Sequence, residues 1–204
     1  VKQFERENVS RETICHLHIY EALLEKWQKK INLVSSSTLS HLWERHFEDS
    51  LQLLPYLPKV KSTLIDLGSG GGFPGLVLAI CKKETLEVTL VESDLRKCLF
   101  LENVSRETFS YPKILRSRIE SLTALKADVI TARALAPLPH LLEYAYPLMK
   151  ATSFCLFLKG KEVEKEIETA KKKWEFCLEM FPSLTDSDGR LLKISHLKRI
   201  IPHG

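Results

Sequence analysis

The stretch Leu64-Ile-Asp-Leu-Gly-Ser-Gly-Gly-Gly-Phe-Pro-Gly75 constrains this chain more than any other. A short apolar run of strand character ends in an acid and then in a glycine cluster. Apolar residues at helical spacing follow, from Leu76 to Cys81. Five of the eight glycines of the chain fall between Gly68 and Gly75, more than a tight turn needs. Glycine is required where backbone turns with φ > 0 or passes close to a ligand. A strand, a glycine turn and a helix N-terminus together make a cradle for a nucleotide-like cofactor.

The surrounding pattern sets the fold class. Residues 11–31 carry apolar side chains at helical spacing, and a second helix is expected from near Ser40 to Pro55 or Pro58, so residues 1–60 read as a helical extension. From Thr63 strands and helices alternate. Strands are expected at Thr63–Leu67, Leu86–Val91, Lys113–Leu115, Ala127–Ala132 and Ser153–Leu158. Helices are expected at Pro74–Lys82, Asp94–Phe109, Pro137–Met149 and Lys161–Lys172. Two closing strands, near Trp174–Met180 and Leu191–Leu197, flank the turn residues Thr185–Arg190. Repeated β-α-β units imply an α/β fold, a mostly parallel seven-stranded sheet with helices on both faces. Residues 61–204 would form this Rossmann-like core, compact with the extension. Ligands of such sheets sit at the carboxyl ends of the strands. That rim would carry Gly68–Gly75, Glu92–Asp94, Arg118–Glu120, Arg133 and Lys159–Gly160.

Composition narrows the class of protein. The chain has 204 residues, 44% hydrophobic and 27% charged, with a net charge of +4. No apolar run approaches the roughly 18–20 residues that span a bilayer. The charged start, Val1 to Glu7, has no apolar signal core, so no membrane partner and a cytoplasmic location are expected, with the chain acting as a monomer. The five cysteines form no C-x-x-C pair and are expected to be buried thiols. The seven histidines have no metal-binding spacing, and no metal is expected. The heptapeptide Glu-Asn-Val-Ser-Arg-Glu-Thr occurs at 7–13 and again at 102–108, too short and isolated to be a repeat architecture.

Two cofactors compete for the glycine turn. Gly70 to Gly75 fits G-x-G-x-x-G, and Glu92 ends the next strand where it could grip a ribose diol, as in dinucleotide sites. Asp66, however, stands close to where a pyrophosphate would lie, and Pro74 removes a donor from the helix N-terminus. Both features favour S-adenosylmethionine, which has no phosphate and carries a sulfonium and an ammonium. Asp66, Gly68 and Gly70 would then pass under its amino-acid part, Glu92 would accept the ribose hydroxyls, and Ile119 and Glu120 would hold adenine.

The stretch Asp66–Gly75 closely resembles the cofactor loop of the bacterial small-subunit ribosomal RNA guanine-N7 methyltransferases, the glucose-inhibited division protein B family. The likeness continues in order along the chain. Trp27 to Val34 resembles W-N-x-x-x-N-L-T, with Gln28 where the first Asn is usual. Arg45 to Leu51 resembles R-H-x-x-D-S-L, and Glu92 to Leu101 resembles D-S-x-x-K-R-x-x-F-L with Arg96-Lys97 in reversed order. Arg118-Ile-Glu120, Thr131-Ala-Arg-Ala134 and Leu158-Lys-Gly160 are similar to R-x-E, S-R-A and L-K-G. The C-terminal third is only loosely similar.

The resemblance implies a class I S-adenosylmethionine-dependent methyltransferase acting on N7 of a guanine in 16S ribosomal RNA, on the small subunit or an assembly intermediate. No general base is expected, since N7 carries a free lone pair. Phe73 and Ser93 join the cofactor residues, with Arg133 reaching the cofactor, guanine O6 or a phosphate. Arg133 and Lys159 would position guanine or RNA. Asn32, Arg96, Lys97, Arg118 and Lys159 would bind RNA, and Lys113, Arg116 and Lys161 lie near the same rim. Arg96 and Lys97 open a helix whose dipole disfavours cations, which suggests a phosphate partner. His46 is expected to be structural, and Asn32 either closes the site or caps a helix. The other readings are an NAD-dependent oxidoreductase and an inert ribosome-binding protein.

Overall fold

The computed structural model describes residues 9–122 and 124–201. Helix α1 spans Arg11–Gln28. The strands are β1 Ser62–Leu67, β2 Leu86–Glu92, β3 Lys113–Arg116, β4 Ala127–Arg133, β5 Met149–Lys159, β6 Trp174–Pro182 and β7 Arg190–Arg199. They form one seven-stranded sheet in the order β3-β2-β1-β4-β5-β7-β6. The first five strands pair in parallel, and β7 runs antiparallel to both β5 and β6. The order reverses between β1 and β4, so the ligand crevice of this sheet lies at their carboxyl ends.

Both faces are covered at the centre of the sheet, where β1, β4 and the C-terminal half of β5 are nearly continuously buried. Successive side chains point to opposite faces. Leu64, Leu90, Val129 and Leu156 enter one core, with α1, α3 (Gly75–Cys81) and α4 (Leu95–Glu107). Their neighbours Ile65, Val91, Ile130 and Phe157 enter the other, with α5 (Leu138–Ala145) and α6 (Val163–Lys171). The N-terminal extension belongs to the first core through Leu17, Tyr20, Leu24 and Phe47, all fully buried.

Several elements differ from the sequence pattern, each for a local reason. Helix α1 stops at Gln28 because that side chain closes the next loop itself. Its Oε1 accepts the N–H groups of Leu33 (2.9 Å) and Val34 (3.1 Å), and its Nε2 donates to the Val34 carbonyl (2.9 Å). No single helix runs from Ser40 to Pro55. A 3-10 turn (Ser36–His41), a π-helical turn (Trp43–Glu48), the short α2 (Asp49–Leu51) and a second 3-10 turn (Leu54–Tyr56) replace it. Helix α5 ends at Ala145, and β5 starts at Met149, four residues before the expected Ser153. Asp94 is the N-cap of α4 rather than part of it, accepting the N–H groups of Arg96 and Lys97. Cys98 and Cys155 are buried, but Cys15 and Cys177 are exposed on α1 and on the edge strand β6, and Cys81 is intermediate. The repeated heptapeptide does different work in its two copies. The first begins outside the described residues, and its Ser10 caps α1 by accepting the Thr13 N–H. In the second, Ser105 is buried within α4, and Thr108 ends the helix with its hydroxyl on the Val104 carbonyl.

Among the described residues, no helix is long and apolar enough to cross a membrane. No group of three or more His, Cys, Asp or Glu among them is placed to hold a metal ion.

Candidate active site

A cavity of about 760 Å³ opens at the carboxyl ends of β1, β2 and β4, within the range of small-molecule sites. The glycine loop, Glu92, Ser93, residues 117–120, residues 133–136 and Lys159 line it, with the β6–β7 turn on the far side. The loop is packed from beneath. Gly72 sits at φ +95°, and a Cβ there would meet the Tyr20 hydroxyl and would lie 3.0 Å from Leu101 and Leu76. The Tyr20 hydroxyl donates to the Gly71 carbonyl. A Cβ on Gly71 would lie 3.0 Å from the Leu33 carbonyl, so the loop that Gln28 closes rests directly on the glycine turn. Gly68 and Gly70 also have positive φ.

Four N–H donors of this loop turn inward. Ser69 N–H bonds the Val91 carbonyl, Gly70 N–H bonds Glu92 Oε2, and the N–H groups of Gly72 and Phe73 bond the Ser69 carbonyl. A diphosphate needs amides aimed at it, and these are already used. Glu92, at the end of β2, gathers the wall. Its Oε1 accepts from Ser93 (2.7 Å) and Asp94 (2.8 Å), and its Oε2 accepts from Gly70 (2.9 Å). A carboxylate therefore faces the cavity where a phosphate-binding turn would present bare N–H groups. This chemistry fits a nucleoside cofactor that bears cations and no phosphate.

Asp66 does not face the cavity. Its carboxylate is fully buried under α3, where a Cβ on Gly75 would fall 2.5 Å from Asp66 Cβ. Thr131 lies opposite it in the β1–β4 register and donates its hydroxyl to Asp66 Oδ1 (2.7 Å). Burial outweighs that bond and pushes the carboxyl up to about 6. The structure places Asp66, expected at the cofactor, beneath the loop and off the cavity wall, where it supports the loop from below. Strand alternation contains the signal, since Asp66 shares the face of Leu64.

Arg133 ends β4 and reaches the extension rather than open solvent. Its Nη1 donates to the Arg45 carbonyl (2.9 Å) and to Asp49 Oδ2 (3.2 Å), and its Nη2 donates to His46 Nδ1 (2.6 Å). The guanidinium also lies 4.9 Å from the centroid of Phe73, a cation–π distance. Phe73 itself is buried among Tyr20, His46 and Phe47. Burial, then Arg133 and Arg45, hold His46 down to about 3. A neutral imidazole that accepts at Nδ1 carries its proton on Nε2. Nε2 therefore donates to Thr38 Oγ1 (2.8 Å), whose hydroxyl donates to the Ser35 carbonyl (2.7 Å). Two of the five guanidinium N–H groups have no bond among the described residues.

Lys159 lines the cavity, but its ammonium is held within the fold. Its Nζ donates to Glu166 Oε2 (2.7 Å) and the Ala136 carbonyl (2.9 Å), and the same Glu166 oxygen accepts the Leu138 N–H (2.7 Å). These bonds lock β5, α6 and the loop after β4 together. Ile119 and Glu120 lie on the cavity wall in a 3-10 turn (Ile119–Ser121) after β3, and Glu120 accepts the Tyr144 hydroxyl (3.2 Å). Arg118 and Ser93 are exposed on the same wall. Lys97 is on the wall, but Arg96 and Asn32 are not; both line a separate depression.

Sequence reading missed the closing side of the cavity. Arg45 pairs with Asp186 (2.9 Å), Asp49 Oδ1 accepts the Thr185 hydroxyl (2.8 Å), and Gln52 Oε1 accepts the Leu184 N–H (3.0 Å). Three side chains of the extension thereby staple the β6–β7 turn over the rim. No local signal marks partners so far apart in the chain.

Among solved structures, ribosomal protein L11 methylase from Lactobacillus delbrueckii subsp. bulgaricus matches with a TM-score of 0.61 at 16% identity, covering 74% of this chain and 78% of that one. The fold is that of the class I methyltransferases. The family model GidB, rRNA small subunit methyltransferase G, matches residues 13–192. Ribosomal RNA small subunit methyltransferase G of Gluconobacter oxydans (strain 621H) is 48% identical over 193 residues, covering 95% of this chain and 98% of that protein. Its counterpart from Paramagnetospirillum magneticum (strain ATCC 700264 / AMB-1) is 47% identical, covering 95% and 94%. The chain belongs to the rRNA small subunit methyltransferase G family.

Proposed function

We infer that this protein transfers the methyl group of S-adenosylmethionine to N7 of a guanine in 16S ribosomal RNA. The observation that carries this reading is the likeness to small-subunit methyltransferases along nearly the whole chain, including every wall of the cavity. The inward-turned amides of the glycine loop and the carboxylate of Glu92 favour this cofactor over a dinucleotide. When bound, S-adenosylmethionine supplies an electrophilic methyl group.

Guanine N7 has a lone pair and no proton at neutral pH, so the protein has no proton to remove. Its task is to orient the base and exclude water. Glu92 and Ser93 hold the ribose side, Ile119 and Glu120 the adenine side, and Gly68 and Gly70 allow close approach of the backbone. Arg133 presents its two remaining N–H groups to the guanine O6 edge or the adjoining phosphate, with Phe73 and His46 fixing its plane. Exposed Arg118 meets the RNA backbone. The substrate places the reaction on the small ribosomal subunit or an intermediate in its assembly, and therefore in the cytoplasm.

Small subunits from cells lacking this protein, incubated with it and methyl-labelled S-adenosylmethionine, test the reading. Label confined to one guanine, cleavable there by N7-specific chemistry, is expected. Label on another base, or none, would refute it.

A further inference from the structure

Next to the main cavity lies a second depression of about 380 Å³, lined by residues 28–32 after α1 and by Asp94, Arg96 and Lys97 at the start of α4. Lys97 lines both spaces. Four cations, Lys29, Lys30, Arg96 and Lys97, converge there from two helices against one carboxylate. That carboxylate is engaged: Asp94 Oδ1 accepts the N–H groups of Arg96 (2.7 Å) and Lys97 (3.1 Å), and its Oδ2 lies 3.8 Å from Arg96. Lys29, Lys30 and Lys97 have no ion pair among the described residues.

The helix dipole favours Lys29 and Lys30 at the end of α1 but disfavours Arg96 and Lys97 at the start of α4. Solvation alone leaves no reason to gather all four in a concave surface. The wall is also held in shape, because Gln28 bonds both N–H groups and a carbonyl of the loop that follows. The N–H groups of Arg96, Lys97 and Cys98 at the start of α4 are taken by Asp94, so the side-chain cations make the site.

We propose that this depression binds a backbone phosphate of the RNA strand next to the nucleotide held in the main cavity, with Lys97 at the junction. This rests on the reading of the main cavity as an RNA methylation site. The strand then leaves the cavity across the end of α1, over Lys29 and Lys30. Those two lysines belong to neither the cofactor wall nor the guanine site.

The test uses the full chain carrying Lys29→Gln and Lys30→Gln together. RNA binding to undermethylated small subunits and methyl transfer are measured separately, with cofactor affinity as a control. The slope of log affinity against log salt is expected to fall by about 0.7 for the one lost phosphate contact, so raising salt from about 50 to 200 mM costs the variant roughly 2.6-fold less affinity than wild type. Cofactor affinity stays unchanged. Wild-type affinity and slope in an active variant overturn the phosphate site and leave the methylation reading standing. A wild-type protein that binds RNA with the lysine-dependent slope yet transfers no methyl group overturns the methylation reading and keeps the site. Lysine acetylation separates the phosphate sources. RNA should protect Lys29 and Lys30, whereas protection by inorganic phosphate at matched ionic strength overturns the assignment to an RNA strand.

Discussion

His46 Nδ1 accepts a hydrogen bond from Arg133 Nη2 at 2.6 Å, and this bond fixes both partners. The imidazole is neutral with its proton on Nε2, and the guanidinium is held in one plane over Phe73. His46→Ala should lower methyl transfer by up to about 100-fold, the scale of a misplaced positioning group, while cofactor affinity stays near wild type. His46→Gln, which can still accept from Arg133, should restore part of the rate. Nitrogen NMR of the wild type should show the neutral Nε2–H tautomer at pH 5, far above its midpoint of about 3. A midpoint near 6.5 would remove the basis for this coupling.

Asp66 is shifted by the same cause, burial, in the opposite direction. Burial raises its carboxyl from 3.8 to about 6 in the fold. The protonated form is therefore favoured by folding. The stability it contributes is complete below about pH 4 and is lost as pH rises through about 6. Asp66→Asn escapes that loss. Relative to wild type, it should gain about 3 kcal/mol between pH 4 and 7, an upper figure from the size of the shift. Urea unfolding of both proteins across this range measures it. A difference that does not change with pH would show that Asp66 titrates normally.

Strand alternation sorts residues that the sequence pattern merely assigned to a common rim. Arg133 shares a face with Val129, and that face packs on the extension. Lys159 shares a face with Phe157, and that face packs on α5 and α6. Two cations at neighbouring strand ends thus meet opposite surroundings, His46 and Asp49 for one and Glu166 for the other. The glycine turn, the parallel sheet and Glu92 were legible because local periodicity and residue type determine them. The 36–56 segment was not, because tertiary contacts set its backbone. Within the π-helical turn Arg133 takes the Arg45 carbonyl, and Arg45 and the following Asp49 reach the turn after β6.

The lock at Lys159 makes its substitution a matter of stability. The pair with Glu166 is mostly buried, with side-chain exposures of 9% and 21%. Removing one partner strands the other, at a cost of about 3 kcal/mol. Lys159→Met should lower the unfolding free energy by that order, and Lys159→Met with Glu166→Gln should recover part of it. The salt dependence of RNA binding should match wild type in both. A stable Lys159→Met protein with a shallower salt slope would return Lys159 to the RNA surface.

Gln28 ends α1 with its side chain turned onto the loop that follows. Its amide bridges to the backbone of Leu33 and Val34 with three bonds. That loop carries Leu33 onto Gly71, where a Cβ would come within 3.0 Å of the Leu33 carbonyl. Gln28→Ala leaves two N–H groups and a carbonyl without these partners, a cost of about 1–3 kcal/mol where they stay shielded from water. The larger consequence falls on the cavity, because the loop no longer presses on the glycine turn. Gln28→Ala should weaken cofactor binding as well as lower the melting temperature, and hydrogen exchange at Leu33 and Val34 should accelerate. Faster exchange with unchanged cofactor affinity would separate the loop from the glycine turn and confine the role of Gln28 to the end of α1.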